Sequence, residues 1–504
     1  MSDDARSAIR ILNRLVEELQ RREREITTRL DYYEGRHKIC YASPEFQDYF
    51  VDRFEGFADN WCAPVISGPT ERMNILGIRV DDADRKADKD LSRAWRAADC
   101  ERGSSEAFVV ALAAARSYCL VWGNPADEET PRVTWERPDQ AIVGYDSDTG
   151  ERAAGLKLWR DDTTEYATLY LPDEVWKFSR PAYARSGYTV AGLVVPDEGT
   201  VRSRGAGAWE PRQGPKDDAW PIPNPLGVVP LIEMRNQTLL DDKPLSDISG
   251  VIAMQDAINL TWAYLMNALD FASLPQRVVM GTDVPMLPVL DSNGQVIGKR
   301  PLELDQLVRD RILWIPGEKA NIGQWSAADL SAYSGVIERA IEHIAAQTRT
   351  PPHYLIGRVA NLSAEALTAA ETGLTAKTNE RIVYVQSAVR EVFALMASVM
   401  GDDAKADACR SGTVIWRDVQ FRAMGQKVDA LMKLKSIGFP LRWIAEQYGL
   451  EPPEVDRVMQ MAEDQAAMDP FAQAVNGKPD LPASPPTAQP GGDPFQLEPA
   501  AAGG

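Results

Sequence analysis

The sequence predicts a mixed α+β chain that is mainly helical, and three observations carry that reading. Apolar residues recur at helical spacing over four stretches of more than 20 residues. A run of short segments with turn chemistry between them fills much of residues 132–180. No Walker loop, GxSxG elbow or Rossmann glycine fingerprint interrupts either pattern. At 504 residues, 44% apolar and 26% charged, the chain is long enough for several packed regions.

Residues 6–34 place Ile9, Leu12, Leu15, Val16, Leu19, Ile26, Leu30 and Tyr33 on one stripe, which predicts an amphipathic helix. Its Arg21, Arg22 and Arg24 interleave with Glu17, Glu18, Glu23 and Glu25 at i,i+4 reach, so the charges satisfy one another and bind no ligand. Helices near 85–99 and 105–116 follow. Short strands are then expected at Arg132–Arg137, Ala141–Tyr145, Ala153–Arg160, Glu165–Leu171 and Val175–Arg180, with hairpins closing at Asp148-Thr149-Gly150 and Pro172-Asp173. Residues 199–227, dense in Gly, Pro and charge, read as a long connection that ends the first α+β domain.

From Ser246 to Ser273, Ile248, Val251, Ile252, Ile258, Trp262, Leu265 and Leu269 predict a helix of about seven turns that stops at Pro275. A small β-containing insert follows: a strand at Gln276–Gly281, a turn at Asn293-Gly294 between Val289-Leu290 and Val296-Ile297, and a strand at Arg311–Ile315. A second long helix, Ser326–Arg349, carries Leu330, Tyr333, Ile337, Ile341 and Ile344 and halts at Pro351-Pro352. A loop, Pro351–Leu362, leads to a third long helix that starts at Ser363, with Glu365 in its first turn and a Leu362/Leu367 staple, and ends near Met400. Trp416 is expected on a strand, Val414–Arg417. Three short helices follow, punctuated by Gly438-Phe439-Pro440 and Gly449-Leu450-Glu451-Pro452. The tail Asp469–Gly504, with eight prolines and five large apolar residues, is expected to be disordered.

The formal charge is −19, the wrong sign for a protein that coats nucleic acid or an anionic membrane. Cys40, Cys62, Cys100, Cys119 and Cys409 form no CxxC pair, so neither a disulfide framework nor a zinc knuckle is indicated and a reducing compartment fits. The first residues lack a signal-peptide pattern, and the longest apolar run, Ala107 to Ala115, is far short of the ~18 residues of a membrane span; the chain reads as soluble and made inside the cell. His37, His343 and His353 have no metal-ligand spacing, and His343 reads as an interface histidine beside an apolar face. No cofactor is expected. Trp135, Trp159, Trp176, Trp209 and Trp220 near carboxylates keep a glycoside hydrolase open as an alternative, although core packing explains them more simply. Residues 440–458 mimic a helix-turn-helix, but the second helix begins Glu-Pro-Pro-Glu and carries Asp456 where base-reading side chains belong.

Several motifs in order resemble a known family. They are Asn224-Pro225-Leu226-Gly227-Val228-Val229-Pro230, Leu274-Pro275-Gln276-Arg277 and Ile312-Leu313-Trp314-Ile315-Pro316-Gly317. Then come the run Thr348-Arg349-Thr350-Pro351-Pro352-His353-Tyr354-Leu355-Ile356-Gly357, Asn361-Leu362-Ser363-Ala364-Glu365-Ala366-Leu367, and Lys377. With the order of elements, they resemble the portal proteins of long-tailed double-stranded DNA bacteriophages over about residues 5–465.

The resemblance implies the phage portal fold: a wing (1–240), stem helices (241–275 and 326–350), a clip (276–325), a tunnel loop (351–362), a long helix with wing or crown helices (363–468) and the tail (469–504). It implies a dodecameric ring at one capsid vertex, through which double-stranded DNA is packaged and ejected without sequence recognition. Partners would be terminase, the major capsid and scaffolding proteins and a head-completion adaptor, with no membrane; the chain would be made in the host cytoplasm and reside in the virion. Implied site residues are Arg358, Val359, Ala360 and Asn361 on the channel loop, Ser292, Asn293 and Gly294 at the clip tip, and Ile252, Trp262, Leu265, Ile337 and Ile341 in stem packing. No catalytic residue is implied. A negative wall also suits a conduit in which DNA must slide. A coiled-coil scaffold dimerising through residues 6–34 is the remaining alternative.

Overall fold

The computed structural model describes residues 3–37, 40, 43–44, 58–80, 87–127, 129–182, 188–190, 193–195, 208–212, 220–240, 243–273, 277–280, 286–290, 295–301, 312–315, 321–324, 330–356, 364–420, 424–450 and 452–468. Helix α1 (Asp3–Glu34) opens the chain, followed by α2 (Cys62–Thr70), β1 (Ile75–Arg79), α3 (Lys89–Ala97) and α4 (Cys100–Ala114). Leu12, Leu15, Val16, Leu19, Ile26 and Leu30 of α1 are all buried within this chain. The stripe that a coiled-coil scaffold would need is therefore already covered. Arg22 pairs with Glu18 and Arg29 with Glu25, the self-satisfied face expected from the spacing.

Helix α3 starts at an Asp88 cap, which accepts from Leu91 N at 2.9 Å. The helix expected at 105–116 instead starts at Cys100 and stops at Ala115, whose φ of 74° turns the chain into β2 (Arg116–Trp122). That strand is buried on both faces, so its apolar run shows no period-2 alternation to separate it from the helix before it.

Strands β3 (Arg132–Glu136), β4 (Ala141–Tyr145), β5 (Arg152–Arg160), β6 (Thr164–Tyr170) and β7 (Glu174–Pro181) fall within one residue of expectation. Asp146 Oδ1 accepts from Asp148 N (2.8 Å) and Thr149 N (3.0 Å), and Gly150 takes φ 73°, which closes the β4–β5 hairpin. Next come β8 (Tyr188–Val190) and β9 (Leu193–Val195), paired with each other, then β10 (Glu210–Pro211), β11 (Ile222–Pro223) and β12 (Leu231–Arg235). The long connection does not end the α+β region: β10 and β11 both pair with β7, and β12 beyond them pairs with β2. The antiparallel order is β10-β7-β6-β5-β4 in one sheet and β12-β2-β3 in another.

Helix α5 (Ile252–Ser273) begins six residues later than expected, because Ser246–Val251 is spent on turns in which Ser246 Oγ accepts from Ile248 N at 3.2 Å. The insert contains β13 (Arg277–Met280), β14 (Met286–Leu290), β15 (Val296–Pro301), β16 (Ile312–Ile315) and β17 (Asn321–Gln324). Strand β13 pairs with β16 in parallel and β17 antiparallel, while β14 and β15 form a hairpin. Ser292, Asn293 and Gly294 lie outside the described residues. Helix α6 (Ser331–Thr348) starts five residues later than expected, and the expected loop holds a short helix, α7 (Pro352–Ile356). Proline at its first position is preorganised for that start and donates no hydrogen bond, so the Pro-Pro stop signal is also a start signal. Helix α8 (Ala364–Val399) matches expectation; α9 (Asp403–Ser411), capped by Asp402 accepting from Lys405 N at 2.9 Å, was not signalled by periodicity. Strand β18 (Thr413–Trp416) pairs with β1, and α10 (Met424–Ser436), α11 (Leu441–Tyr448) and α12 (Pro452–Met468) complete the order.

The described residues up to Ala430 form one compact unit and those from Leu431 onward a second. In the first, the larger core joins α2, α3, α4, the second half of α1, β2, β12, α5, α6 and α8. A second core lies between the first half of α1 and the β4–β7 sheet, and a third between that sheet and β2 with β12. The third is thin because Gly155 has no side chain: a Cβ there would stand 2.9 Å from Leu231 Cβ. By length and composition alone, Ala369–Val399 of α8 could cross a membrane, but Val385, Val389, Val392 and Phe393 are fully buried in the protein core. In the second unit, Arg442 pairs with Asp456 at 2.7 Å, and Gly449, at φ 101°, turns α11 into α12 as a helical hairpin. The tail Asp469–Gly504 lies outside the described residues.

Candidate assembly surface

The tryptophans do not assemble a cleft. Trp135 meets Trp95 edge-on at 6.3 Å and lies on α4, where a Cβ at Gly103 would stand 2.1 Å from it. Trp176 packs with Phe178 and Trp220, Trp209 lies under the Arg180 guanidinium at 4.2 Å, and Trp159 stacks on Tyr166 at 5.4 Å. Trp176, Trp209 and Trp220 share the core under the first half of α1 and Trp135 packs in the larger core, so these four serve packing, which removes the basis for the glycosidase alternative. Among the described residues, no cluster of His, Cys, Asp and Glu could hold a metal.

The long helices offer a surface instead. Ile258 and Leu265 of α5 and Ile337, Ile341 and Ile344 of α6 share the larger core, with Ile252 and Trp262 packed against it. The same helices also turn apolar residues outward: Tyr264 is 41% exposed, Leu269 43% and Val336 57%, with Val383 of α8 at 61%. Two helices around a small insert cannot bury both faces within one chain, so such side chains call for contacts from outside it.

Polar anchors hold the base of α5. Gln255 Oε1 accepts from Trp61 N at 2.8 Å, and Trp262 Nε1 donates to Asp59 Oδ2 at 2.7 Å. Tyr32 OH donates to Asp256, whose carboxyl burial pushes upward; Asn259 bonds His37, whose ring stacks on Tyr32 and is pushed down by burial. His37 thus has a structural place, whereas His343 is exposed on α6 in the single chain.

A second anchor governs the junction of α6, α7 and α8. Thr350 N donates to Ala345 O at 3.0 Å around Arg349, which takes φ 53° and pairs with Glu380 of α8 at 2.8 Å. Glu371 of α8 receives Arg72 and lies 3.1 Å from His353 Nε2, while Arg72 also donates to Tyr354 OH at 2.8 Å. The chain before the 357–363 segment is therefore tied to α8, which itself begins at Ala364 just after it. Arg358, Val359, Ala360 and Asn361 themselves lie outside the described residues.

Beneath this junction Asp247 receives two cations, Lys377 Nζ at 3.0 Å and Arg381 Nε at 2.9 Å, and also accepts from Asn236 Nδ2 at 2.8 Å and Gln237 Nε2 at 3.0 Å. Lys377 also donates to Val65 O at 3.2 Å and is 2% exposed. Burial works to raise the Asp247 carboxyl, but the two cations and the amides hold it below the ordinary range. Lys377 is pushed down by burial and by Arg381, since two cations share one carboxylate.

Glu233 is organised the same way. Arg116 and Arg235 face each other across β2 and β12, where like charges repel, and Glu233 satisfies both at 2.8 and 2.9 Å. Tyr118 OH and Tyr145 OH donate to its two oxygens at 3.1 and 3.0 Å. Against the upward push of burial, Arg116 and Arg235 hold the carboxyl low. A carboxylate lowered on folding contributes stability above its unfolded value, and this is lost as pH falls through the lowered one. The thermal midpoint is thus expected to hold down to the ordinary carboxylate range, about pH 4, and to fall below it; Glu233→Gln should lower the midpoint at pH 7 and shrink the acid-side drop. An unchanged pH profile in the variant would contradict this.

Sequence reasoning missed Asp247, Arg381, Glu371 and Glu233, because single charged residues carry no periodic signal and their partners are distant in sequence. Lys377 alone stood out, through the resemblance.

A family model described as phage portal protein, SPP1 Gp6-like, matches residues 12–469. The portal protein of Mycobacterium phage L5 is 27% identical over 439 residues, covering 84% of this chain and 83% of that protein. That of Mycobacterium phage D29 is 26% identical over 437 residues, covering 82% and 81%. A solved structure titled as the neck of a native GTA particle computed with C12 symmetry is 14% identical, covers 82% of this chain and 95% of that one, and gives a TM-score of 0.39.

Proposed function

The chain belongs to the phage portal protein family, SPP1 Gp6-like, and from that premise we propose that it forms a closed ring at one capsid vertex. It is a structural protein, not an enzyme, and the DNA channel and docking platform are roles general to the family. The observation that supports the ring is the set of outward apolar residues on the long helices, Tyr264, Leu269, Val336 and Val383, which neighbouring copies can cover.

In this reading residues 1–240 are the wing, and α5 and α6 are the stem helices, with Ile252, Trp262, Leu265, Ile337 and Ile341 holding each subunit's stem to its own body. The insert 276–325 is the clip, its tip Ser292-Asn293-Gly294 directed to a head-completion adaptor. Residues 351–362 are the tunnel loop, its first part held to α8 through Arg349–Glu380 and His353–Glu371. Residues 363–468 supply the long helix and the wing or crown helices, and 469–504 a disordered tail. Twelve subunits are proposed, with terminase, major capsid and scaffolding proteins as further partners, after synthesis in the host cytoplasm. Immunogold labelling of virions carrying a tagged chain tests the location: one cluster of label where head meets tail is expected, and label spread over the shell would contradict the vertex.

A further inference from the structure

The middle turns of α1, the end of β4 with its turn, and the β2–β12 pair enclose a cleft of about 520 Å³, lined by Arg14, Glu18, Arg22, Arg116, Tyr145, Asp146, Glu233 and Arg235 among others. Four arginines meet three carboxylates there in a chain of net charge −19. Each carboxylate is already committed. Glu233 is saturated by two guanidiniums and two phenols, Glu18 pairs with Arg22, and Asp146 Oδ1 accepts from the backbone of its turn. Arg14, exposed at the rim, has neither an ion-pair nor a hydrogen-bond partner among the described residues. The cleft thus holds an unbalanced positive charge on a rigid floor, with a five-donor side chain at its mouth.

We propose that this cleft receives a carboxylate side chain from a neighbouring copy of the chain, with Arg14 as its principal partner. The inference rests on the ring reading. Charge complementarity favours that occupant, since a chain with 74 acidic and 55 basic residues brings mostly carboxylates to any copy beside it. The exposed apolar residues of the stem supply area, and the arginine cleft supplies register.

The experiment uses the full chain assembled into rings and a zero-length carbodiimide, which joins only an amine to a carboxylate in direct contact. Arg14→Lys places an amine at the rim, and Arg24→Lys, on an exposed position of α1 outside the cleft, is the control. Covalent dimers above the wild-type background are expected on a denaturing gel for Arg14→Lys and not for Arg24→Lys. In parallel, rings of Arg14→Glu should dissociate at about half the salt concentration that dissociates Arg24→Glu rings, with both monomers melting like wild type. Crosslinks confined to single chains, equal yields from both lysine variants, or equal salt tolerance of both glutamate variants would each overturn the proposal. So would loss of the Arg14→Lys dimer on adding short duplex DNA to intact rings, which would reassign the cleft to phosphate. If wild-type chains form no rings at all, it is the ring reading that has failed.

Discussion

Asp247→Ala is expected to destabilise the fold more than any surface substitution. The side chain is fully buried and is the shared counter-ion of Lys377 and Arg381, themselves 2% and 4% exposed on their side chains. Removing it leaves two buried cations with only the Val65 carbonyl on Lys377 and the more distant Glu380, at 3.4 Å, on Arg381. Breaking a buried pair in this way costs on the order of 3–5 kcal/mol. The cost falls where it has structural consequences: Asp247 precedes α5, and Lys377 and Arg381 lie on α8, so the network ties the first long helix to the third. Denaturant unfolding should show a loss of that size, and Asp247→Asn, which keeps the amide-facing acceptor but not the charge, should lose less. A midpoint for Asp247→Ala within error of wild type would mean that the network is not closed in solution.

The second large effect concerns the proposed tunnel loop. Arg358→Glu is expected to leave rings intact, because the chain before the segment is held to α8 through Arg349–Glu380 and His353–Glu371 and α8 itself begins just after it. It replaces an attraction for passing phosphate with a repulsion at every subunit. Two like charges ~4 Å apart repel by about 1 kcal/mol even in water, and a ring repeats that term with each copy. Arg358→Ala removes a contact without adding repulsion. Packaged genomes, counted as nuclease-resistant DNA, should therefore fall several-fold further for Glu than for Ala. Wild-type packaging by the Glu variant, with rings seen intact by microscopy, would take Arg358 off the DNA path.

Much of this architecture was legible in the residues, for identifiable reasons. The β3–β7 strands were bounded within one residue because Asp-Thr-Gly and Pro-Asp turns mark their ends. The long helices α5, α6 and α8 were legible through apolar stripes and proline stops. Strand β2 was not, because burial on both faces erased its period and ran it into the apolar end of α4. Helix α7 was hidden by the double proline, which ends one helix and starts another. The anchors were hidden for a different reason: Asp247 and Glu371 look like any acidic residue until partners 130 and 299 positions away are brought to them. The same holds for the arginine cleft, where Arg14 belongs to a helix whose charges otherwise pair locally.

Closed assembly is the central claim, and the mass and shape of the purified chain test it most directly. Native mass measurement at micromolar concentration, with negative-stain images of the same sample, is predicted to show closed rings of many 55.7 kDa subunits with a central opening. A monodisperse monomer or an elongated dimer, at any concentration up to that of the assembling capsid, would contradict it.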